Sequence, residues 1–171
     1  MHFFRRSSAW LILASMTIPL SPILAQTSGQ FTLTGSFSYF YDQIQHGSTT
    51  FTAGTTEGGD VVSSGQGTLF PEGKSFLSSC VVFSEESADG LNLTAPCTFT
   101  EPKEDDGDEL FAVLTRKQGD LGAANRGGGG RADLVGGTGK YANIAGQCSY
   151  DTQYLGPSTG VITRDCTWSK P

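Results

Sequence analysis

Four cysteines, placed symmetrically about two turn sequences, constrain the fold of this chain more than any other feature. Cys80 and Cys97 are equidistant from the turn sequence at 87–90, and Cys148 and Cys166 are equidistant from a Gly-Pro turn. Residues equidistant from a hairpin turn face each other across its strands, so the spacing favours Cys80–Cys97 and Cys148–Cys166 bridges. Four cysteines allow three pairings, and sequence spacing leaves the other two open.

The same cysteines do not form a metal or redox motif. None of them has Cys-x-x-Cys spacing, and the chain after the apolar N-terminal segment contains a single histidine, His46. Structural zinc sites draw four ligands from closely spaced cysteine and histidine residues. We therefore expect the cysteines to be structural, and we expect no metal and no cofactor.

The N-terminus has the composition of a cleavable export signal. Two arginines precede a short apolar stretch that contains two prolines and ends at the small residue Ala25. This arrangement is typical of a secretory signal, whereas a membrane anchor needs about 20 apolar residues without such breaks. The sequence predicts a signal peptide at 1–25 and a single domain at 26–171. It also predicts a periplasmic or secreted location, with no membrane span after cleavage.

The charge of the mature chain excludes one class of partner. Removal of 1–25 takes away two arginines and no acidic residue, so nine Lys and Arg remain against 17 Asp and Glu, a formal charge of −8. Phosphate backbones and anionic lipid surfaces recruit basic proteins. We therefore expect no nucleic-acid partner.

Apolar and polar residues alternate along most of the mature chain, as in antiparallel strands with one buried face. The predicted strands are 30–41, 48–56, 60–70, 76–84, 91–101, 109–117, 130–135, 141–151 and 159–169. Gly, Asp and Pro clusters predict turns between them, at 58–60, 71–73, 88–90, 105–108, 126–130, 136–139 and 156–157. Seven to nine short strands predict an all-β antiparallel barrel of about eight strands, since closure removes unpaired edges.

Two glycine-containing motifs resemble ligand loops but depart from them. The segment 136–141 follows Leu134, which stands where a phosphate-binding loop requires glycine, and it has Tyr141 where such a loop requires Ser or Thr. The segment therefore predicts a turn. The acidic segment 104–109 lacks the spacing of a helix-loop-helix calcium loop, and a solvated hairpin tip is the favoured interpretation. The Gly-x-Ser-x-Gly spacing at 156–160 falls in the predicted Gly-Pro turn with no helix pattern after it, so it does not mark a hydrolase elbow, and no catalytic residue can be assigned.

Arg164 is the most informative candidate site residue. Strict alternation places it on the same inward face as Cys166 and Trp168. A buried guanidinium needs an internal carboxylate or an anionic ligand group as partner, unless a bulge turns it outward. Aromatic residues near strand ends either line a cavity mouth or plug the barrel. The candidate ligand-binding residues are Arg164, Tyr39, Tyr41, Tyr150 and Trp168.

Two segments resemble bacterial members of the allene oxide cyclase-like barrel superfamily, which has a calycin-like architecture. They are the glycine-rich turn and following strand at 134–146 and the acidic hairpin at 105–111. The resemblance implies an eight-stranded antiparallel barrel with a central cavity, often in a homo-oligomer. Plant members are cofactor-free cyclases of a fatty-acid epoxide, but their catalytic positions cannot be matched to residues of this chain.

Two functional classes follow. The first is an exported, disulfide-stapled module that binds a small apolar ligand or serves a structural role. The alternative is a cofactor-free isomerase or cyclase that acts on a hydrophobic substrate, as the resemblance implies. The interior volume tests both ligand hypotheses, because a cavity below about 300 Å³ is smaller than typical ligand pockets and favours a filled, structural barrel over ligand binding or catalysis.

Overall fold

Eight antiparallel strands close into a barrel in the computed structural model, which describes residues 27–105, 107–122 and 125–171. The strands are β1 (Ser28–His46), β2 (Thr49–Gly65), β3 (Ser75–Ser87), β4 (Gly90–Thr100), β5 (Glu109–Arg116), β6 (Gly127–Gly137), β7 (Ala145–Tyr154) and β8 (Thr159–Ser169). Each strand pairs with the next along the chain, and β8 pairs with β1. The predicted fold class is confirmed, while the predicted signal peptide at 1–25 lies outside the described residues.

Side chains alternate between the barrel interior and the solvent along each strand. In β5 every second residue is buried, and the same alternation is seen in β4 and β8. The buried set forms a continuous apolar core made of inward-facing aliphatic and aromatic residues and both disulfides. The period-2 pattern in the sequence therefore corresponds to one buried and one solvated face.

Both predicted disulfides are confirmed. Cys80 and Cys97 are register partners in β3 and β4, with Cα atoms 4.1 Å apart. Cys148 and Cys166 are register partners in β7 and β8, with Cα atoms 4.0 Å apart. Disulfides persist in oxidising compartments and are rare in reducing ones, so this pairing indicates an oxidising environment.

Two of the predicted turns are wrong because their glycines lie within strands. β2 runs without interruption through 58–60, and β6 already begins at Gly127. A Cβ atom on Gly58 would come within 2.4 Å of the Ser36 carbonyl oxygen of β1. Glycine is needed there for close approach between strands of a small barrel and not for a turn. The predicted strand 141–151 also begins too early, since β7 begins at Ala145 after a 3₁₀ turn.

Aromatic residues close the barrel end that contains the start of β1 and the end of β8. Phe70, from the loop between β2 and β3, is fully buried and stacks on Phe31 with ring centroids 3.8 Å apart. The centroid of its ring also lies 5.5 Å from the ring centroid of Tyr141 and 5.7 Å from that of Trp168. This end of the barrel is therefore filled by packed side chains.

A buried carboxylate lies beside this aromatic group. Glu101 is 1 % exposed, and its oxygens lie 2.5 Å from the Lys74 Nζ and 2.6 Å from the Lys140 Nζ. The Tyr141 hydroxyl donates a hydrogen bond to the same carboxylate. Burial by itself raises the pKa of Glu101, but the hydrogen bonds from Lys140, Lys74 and Tyr141 outweigh it and lower the pKa below its ordinary value.

The lowered pKa predicts a specific pH dependence of stability. A depressed carboxyl pKa stabilises the fold above the ordinary value of 4.5, and this contribution disappears as the pH falls through the lower folded-state pKa. We expect Glu101→Gln to lower the free energy of unfolding by about 3 kcal/mol at pH 7, and by progressively less below pH 4.5. Urea unfolding across this range measures the difference. Glu104→Gln, at an exposed neighbouring position, is the control, and an equal loss at all pH values would contradict the prediction.

The disulfides predict a second stability effect. Each bridge joins residues 17 or 18 positions apart and restricts the unfolded chain. We expect the double variant Cys148→Ser/Cys166→Ser to lose about 3 kcal/mol of unfolding free energy, measured by urea denaturation. The variant Cys80→Ser/Cys97→Ser, which opens a loop of nearly equal length, should lose a similar amount. An unchanged urea midpoint in both variants would show that the bridges do not constrain the unfolded state.

Candidate functional site

A small polar cavity lies in the barrel interior, with a volume of about 50 Å³. Two guanidinium groups and one carboxylate line it, together with three tyrosines and an apolar wall. The charged and phenolic residues of the lining are Asp60, Arg116, Arg164, Tyr41, Tyr150 and Tyr154. An apolar barrel has no need of such groups, so this cavity is the candidate functional site.

Arg164 and Asp60 form a buried ion pair on one side of the cavity. The Arg164 Nη1 lies 2.5 Å from the Asp60 Oδ1, and their side chains are 6 % and 1 % exposed. The guanidinium also lies over the Phe99 ring, 5.0 Å from its centroid. Arg164 is thus inward-facing, and an internal carboxylate is its partner.

The ion pair crosses over β1 at a glycine. Asp60 of β2 is the register partner of Gly35, and Arg164 of β8 is the register partner of Leu33. A Cβ atom on Gly35 would come within 2.1 Å of the Asp60 Oδ1, so the space above this glycine is occupied by the carboxylate. Only a residue without a side chain lets Asp60 reach across β1 to Arg164.

A second glycine makes room for a tyrosine on β7, the strand beside β8. A Cβ atom on Gly130 of β6 would come within 2.5 Å of the Tyr150 ring. The glycine-rich start of β6, predicted as a turn, instead lets this ring lie flat against the strand. Tyr150 is in turn the register partner of Arg164, so the ring and the guanidinium are neighbours.

Arg116 is a second buried guanidinium, and the sequence analysis missed it. It is 2 % exposed, and it donates hydrogen bonds to the carbonyl oxygens of Asp120 at 2.7 Å and Gly128 at 3.5 Å. Its Nε has no hydrogen-bond partner, and no carboxylate among the described residues forms an ion pair with it. The signal was available, because Arg116 continues the buried alternation of Leu114 in β5.

Two tyrosines of the cavity, Tyr41 and Tyr150, are held in the protonated form. Burial raises the pKa of Tyr150 to about 12, although the nearby Arg116 opposes the shift. Burial also raises the pKa of Tyr41, and the neighbouring Tyr154 raises it further. Both phenols therefore carry a proton at neutral pH and can donate hydrogen bonds.

The structure brings three of the five predicted site residues to the cavity: Arg164, Tyr41 and Tyr150. Tyr39 is buried beside it, and its hydroxyl donates to the carbonyl oxygens of Gly122 at 2.8 Å and Gly156 at 2.9 Å. This residue ties two loops over the second barrel end. Trp168 lies at the first end against Phe70, and its indole nitrogen has no hydrogen-bond partner. Their role in ligand binding stays a prediction.

The acidic segment before β5 is a connection between strands. Glu104 and Asp105 are exposed in a short 3₁₀ turn, and Asp108 accepts a hydrogen bond from the Lys140 backbone amide. In the part of the chain that the structure describes, no group of three acidic, Cys or His side chains is arranged to hold a metal ion. Within the same residues, no helix is long and apolar enough to cross a membrane.

Comparison with protein-family models, curated proteins and solved structures found no match for this chain. The resemblance to the allene oxide cyclase-like superfamily therefore rests on the two sequence segments alone. The geometry of the cavity is therefore the main evidence on what this protein binds.

The crossing at Gly35 predicts a large effect from one methyl group. We expect Gly35→Ala to displace the Asp60 carboxylate and lower the unfolding free energy by about 3 kcal/mol, because Arg164 loses its buried partner. Gly59→Ala is the matched control, since a Cβ atom there has its nearest neighbour at 4.0 Å and should cost less than about 1 kcal/mol. Urea denaturation of both variants measures the difference, and equal losses would contradict this role of Gly35.

Proposed function

We propose that this protein is an exported binding module that holds a small ligand, or the small polar end of a ligand, inside the barrel. The observation that carries the proposal is Arg116, a cation that is 2 % exposed, faces the cavity and has no carboxylate partner among the described residues. Export is supported by the N-terminal sequence and by the two disulfides.

The charge on Arg116 argues against a purely structural interior. Burying an uncompensated guanidinium costs several kcal/mol, and an apolar side chain of similar volume usually gives a more stable core. Arg164 meets this requirement internally through Asp60, whereas Arg116 contacts two backbone carbonyls only. A binding role gives this cost a physical reason, because a ligand then supplies the missing partner.

The size of the cavity limits what enters it. Its volume of about 50 Å³ is far below the roughly 300 Å³ of typical ligand pockets, so size alone favours the filled, structural barrel, and the buried charge on Arg116 is the observation that favours a ligand. The enclosed part of the ligand is therefore restricted to a few heavy atoms, and a complete fatty-acid chain is too large. Leu93, Leu114 and Ile162 give the cavity an apolar wall that suits a short hydrocarbon portion.

The geometry does not favour the alternative of a cyclase or isomerase. A catalytic pocket must enclose the reacting part of its substrate, and a cavity of about 50 Å³ holds only a few heavy atoms. Asp60, a carboxylate of the cavity lining, is paired with Arg164, so its charge is already engaged within the protein. Binding is therefore the better-supported function.

A cavity-filling variant tests the proposal. We expect the mature protein, expressed with its export signal, to retain a low-molecular-weight ligand that native mass spectrometry detects and whose release lowers the melting temperature. Ala95→Leu places three additional carbon atoms in the cavity lining and should abolish retention. Ala53→Leu makes the same change at an exposed position of β2 and should retain the ligand.

Two results would contradict a small-ligand role. One is a wild-type protein without any bound molecule whose melting temperature no small compound raises. The other is retention that persists unchanged in Ala95→Leu, which would place the ligand outside the barrel.

A further inference from the structure

We infer that the cavity between Arg116 and Arg164 is a binding site for a small monoanion, with a carboxylate group or an ion of similar size as its ligand. This inference rests on the proposed function and names the chemical class of its ligand. The charge of the cavity, its hydrogen-bond donors and its volume support this assignment.

The cavity lining carries one uncompensated positive charge. It contains two guanidinium groups, Arg116 and Arg164, and a single carboxylate, Asp60. Arginine stays protonated in proteins, and Asp60 is held as the ion-pair partner of Arg164 at 2.5 Å. One bound negative charge would neutralise the site, whereas a neutral or cationic ligand would leave it charged in a low-dielectric interior.

The polar groups around the cavity are mainly hydrogen-bond donors. Among the described residues, the Nε atoms of both arginines are buried and have no hydrogen-bond partner. The phenols of Tyr41 and Tyr150 lie in the same lining and are protonated at neutral pH, and the Tyr150 hydroxyl also donates a long hydrogen bond of 3.4 Å to the Thr115 carbonyl oxygen. Charge-assisted hydrogen bonds from guanidinium to carboxylate are among the strongest in proteins, so this donor set matches an anionic acceptor.

The two arginines have different roles. Asp60 occupies one side of the Arg164 guanidinium and fixes its position against the Phe99 ring. Arg116 is positioned by the carbonyl oxygens of Asp120 and Gly128 and has no bound carboxylate. Arg116 therefore supplies the positive charge that a bound anion would neutralise, and Arg164 contributes a further hydrogen-bond donor.

The volume of the cavity selects among anions. A space of about 50 Å³ accommodates a halide ion or a carboxylate head group with few attached atoms. A dianion such as sulfate would bring a second charge for which the site has no counter-charge. The site should therefore prefer acetate, formate or chloride to sulfate.

Calorimetric titration of the mature protein with sodium acetate, sodium chloride and sodium sulfate tests this inference. The three salts are compared at equal ionic strength, so that a general effect of ionic strength appears equally with all three. We expect saturable binding of acetate or chloride and a rise in melting temperature that follows the same concentration dependence, while sulfate gives neither.

Substitutions of arginine provide the matched comparison. Arg116→Gln should weaken the binding of the monoanion at least about tenfold, and Arg116→Lys should restore part of it, because the charge returns without the guanidinium geometry. Arg131→Gln removes an exposed arginine outside the cavity and should bind as the wild type does. If Arg116→Gln does not fold, Tyr150→Phe replaces it, with a smaller expected loss.

The competing outcomes are distinct. Binding of both acetate and chloride identifies a general monoanion site, whereas binding of acetate alone identifies the head group of an organic acid; each supports the inference. A response to sulfate equal to that of acetate, or acetate binding unchanged in Arg116→Gln, would overturn it. A retained neutral ligand without any anion response would reject the anion site and leave the proposed binding function intact, while absence of both would reject both.

Discussion

The buried ion pair between Asp60 and Arg164 depends on barrel closure and in turn organises the interior. The two residues belong to β2 and β8, the strands on either side of β1, and they meet only because β1 and β8 pair to complete the ring. The contact passes over β1 at Gly35, where any larger residue would overlap the carboxylate. Once formed, it holds the Arg164 guanidinium inside the barrel, in the lining of the cavity.

The barrel interior is divided into three zones along its axis. At one end, Phe70 and its aromatic neighbours fill the space, with the buried Glu101 and its two lysines beside them. At the other end, Tyr39 ties two loops together through its hydroxyl group. The cavity lies between these two zones. Asp60, Arg116 and Arg164 in its lining are at most 5 % exposed, and burial strengthens any interaction with a ligand of opposite charge.

Arg116 and Arg164 show how similar residues can have different consequences. Both guanidiniums are buried, and both leave their Nε without a partner. Arg164 has an internal carboxylate, so its charge is a structural matter, while Arg116 leaves one positive charge in the cavity. The unpaired charge of Arg116, and not the barrel fold, points to a ligand, since a barrel of this kind does not require either arginine.

Local sequence patterns predicted the strand class and favoured both the inward direction of Arg164 and the observed pairing of the cysteines. Period-2 alternation and symmetry about a turn depend on nearby residues, and the barrel keeps both relations. The same patterns placed Asp60 in a predicted turn, although it lies within β2. Glycine in a sequence suggests a turn, but it also occurs where two strands approach each other closely. Arg116 was overlooked at the last position of its strand. Only the closed tertiary structure decided which charges meet, because Asp60 and Arg164 are 104 positions apart and become neighbours through ring closure.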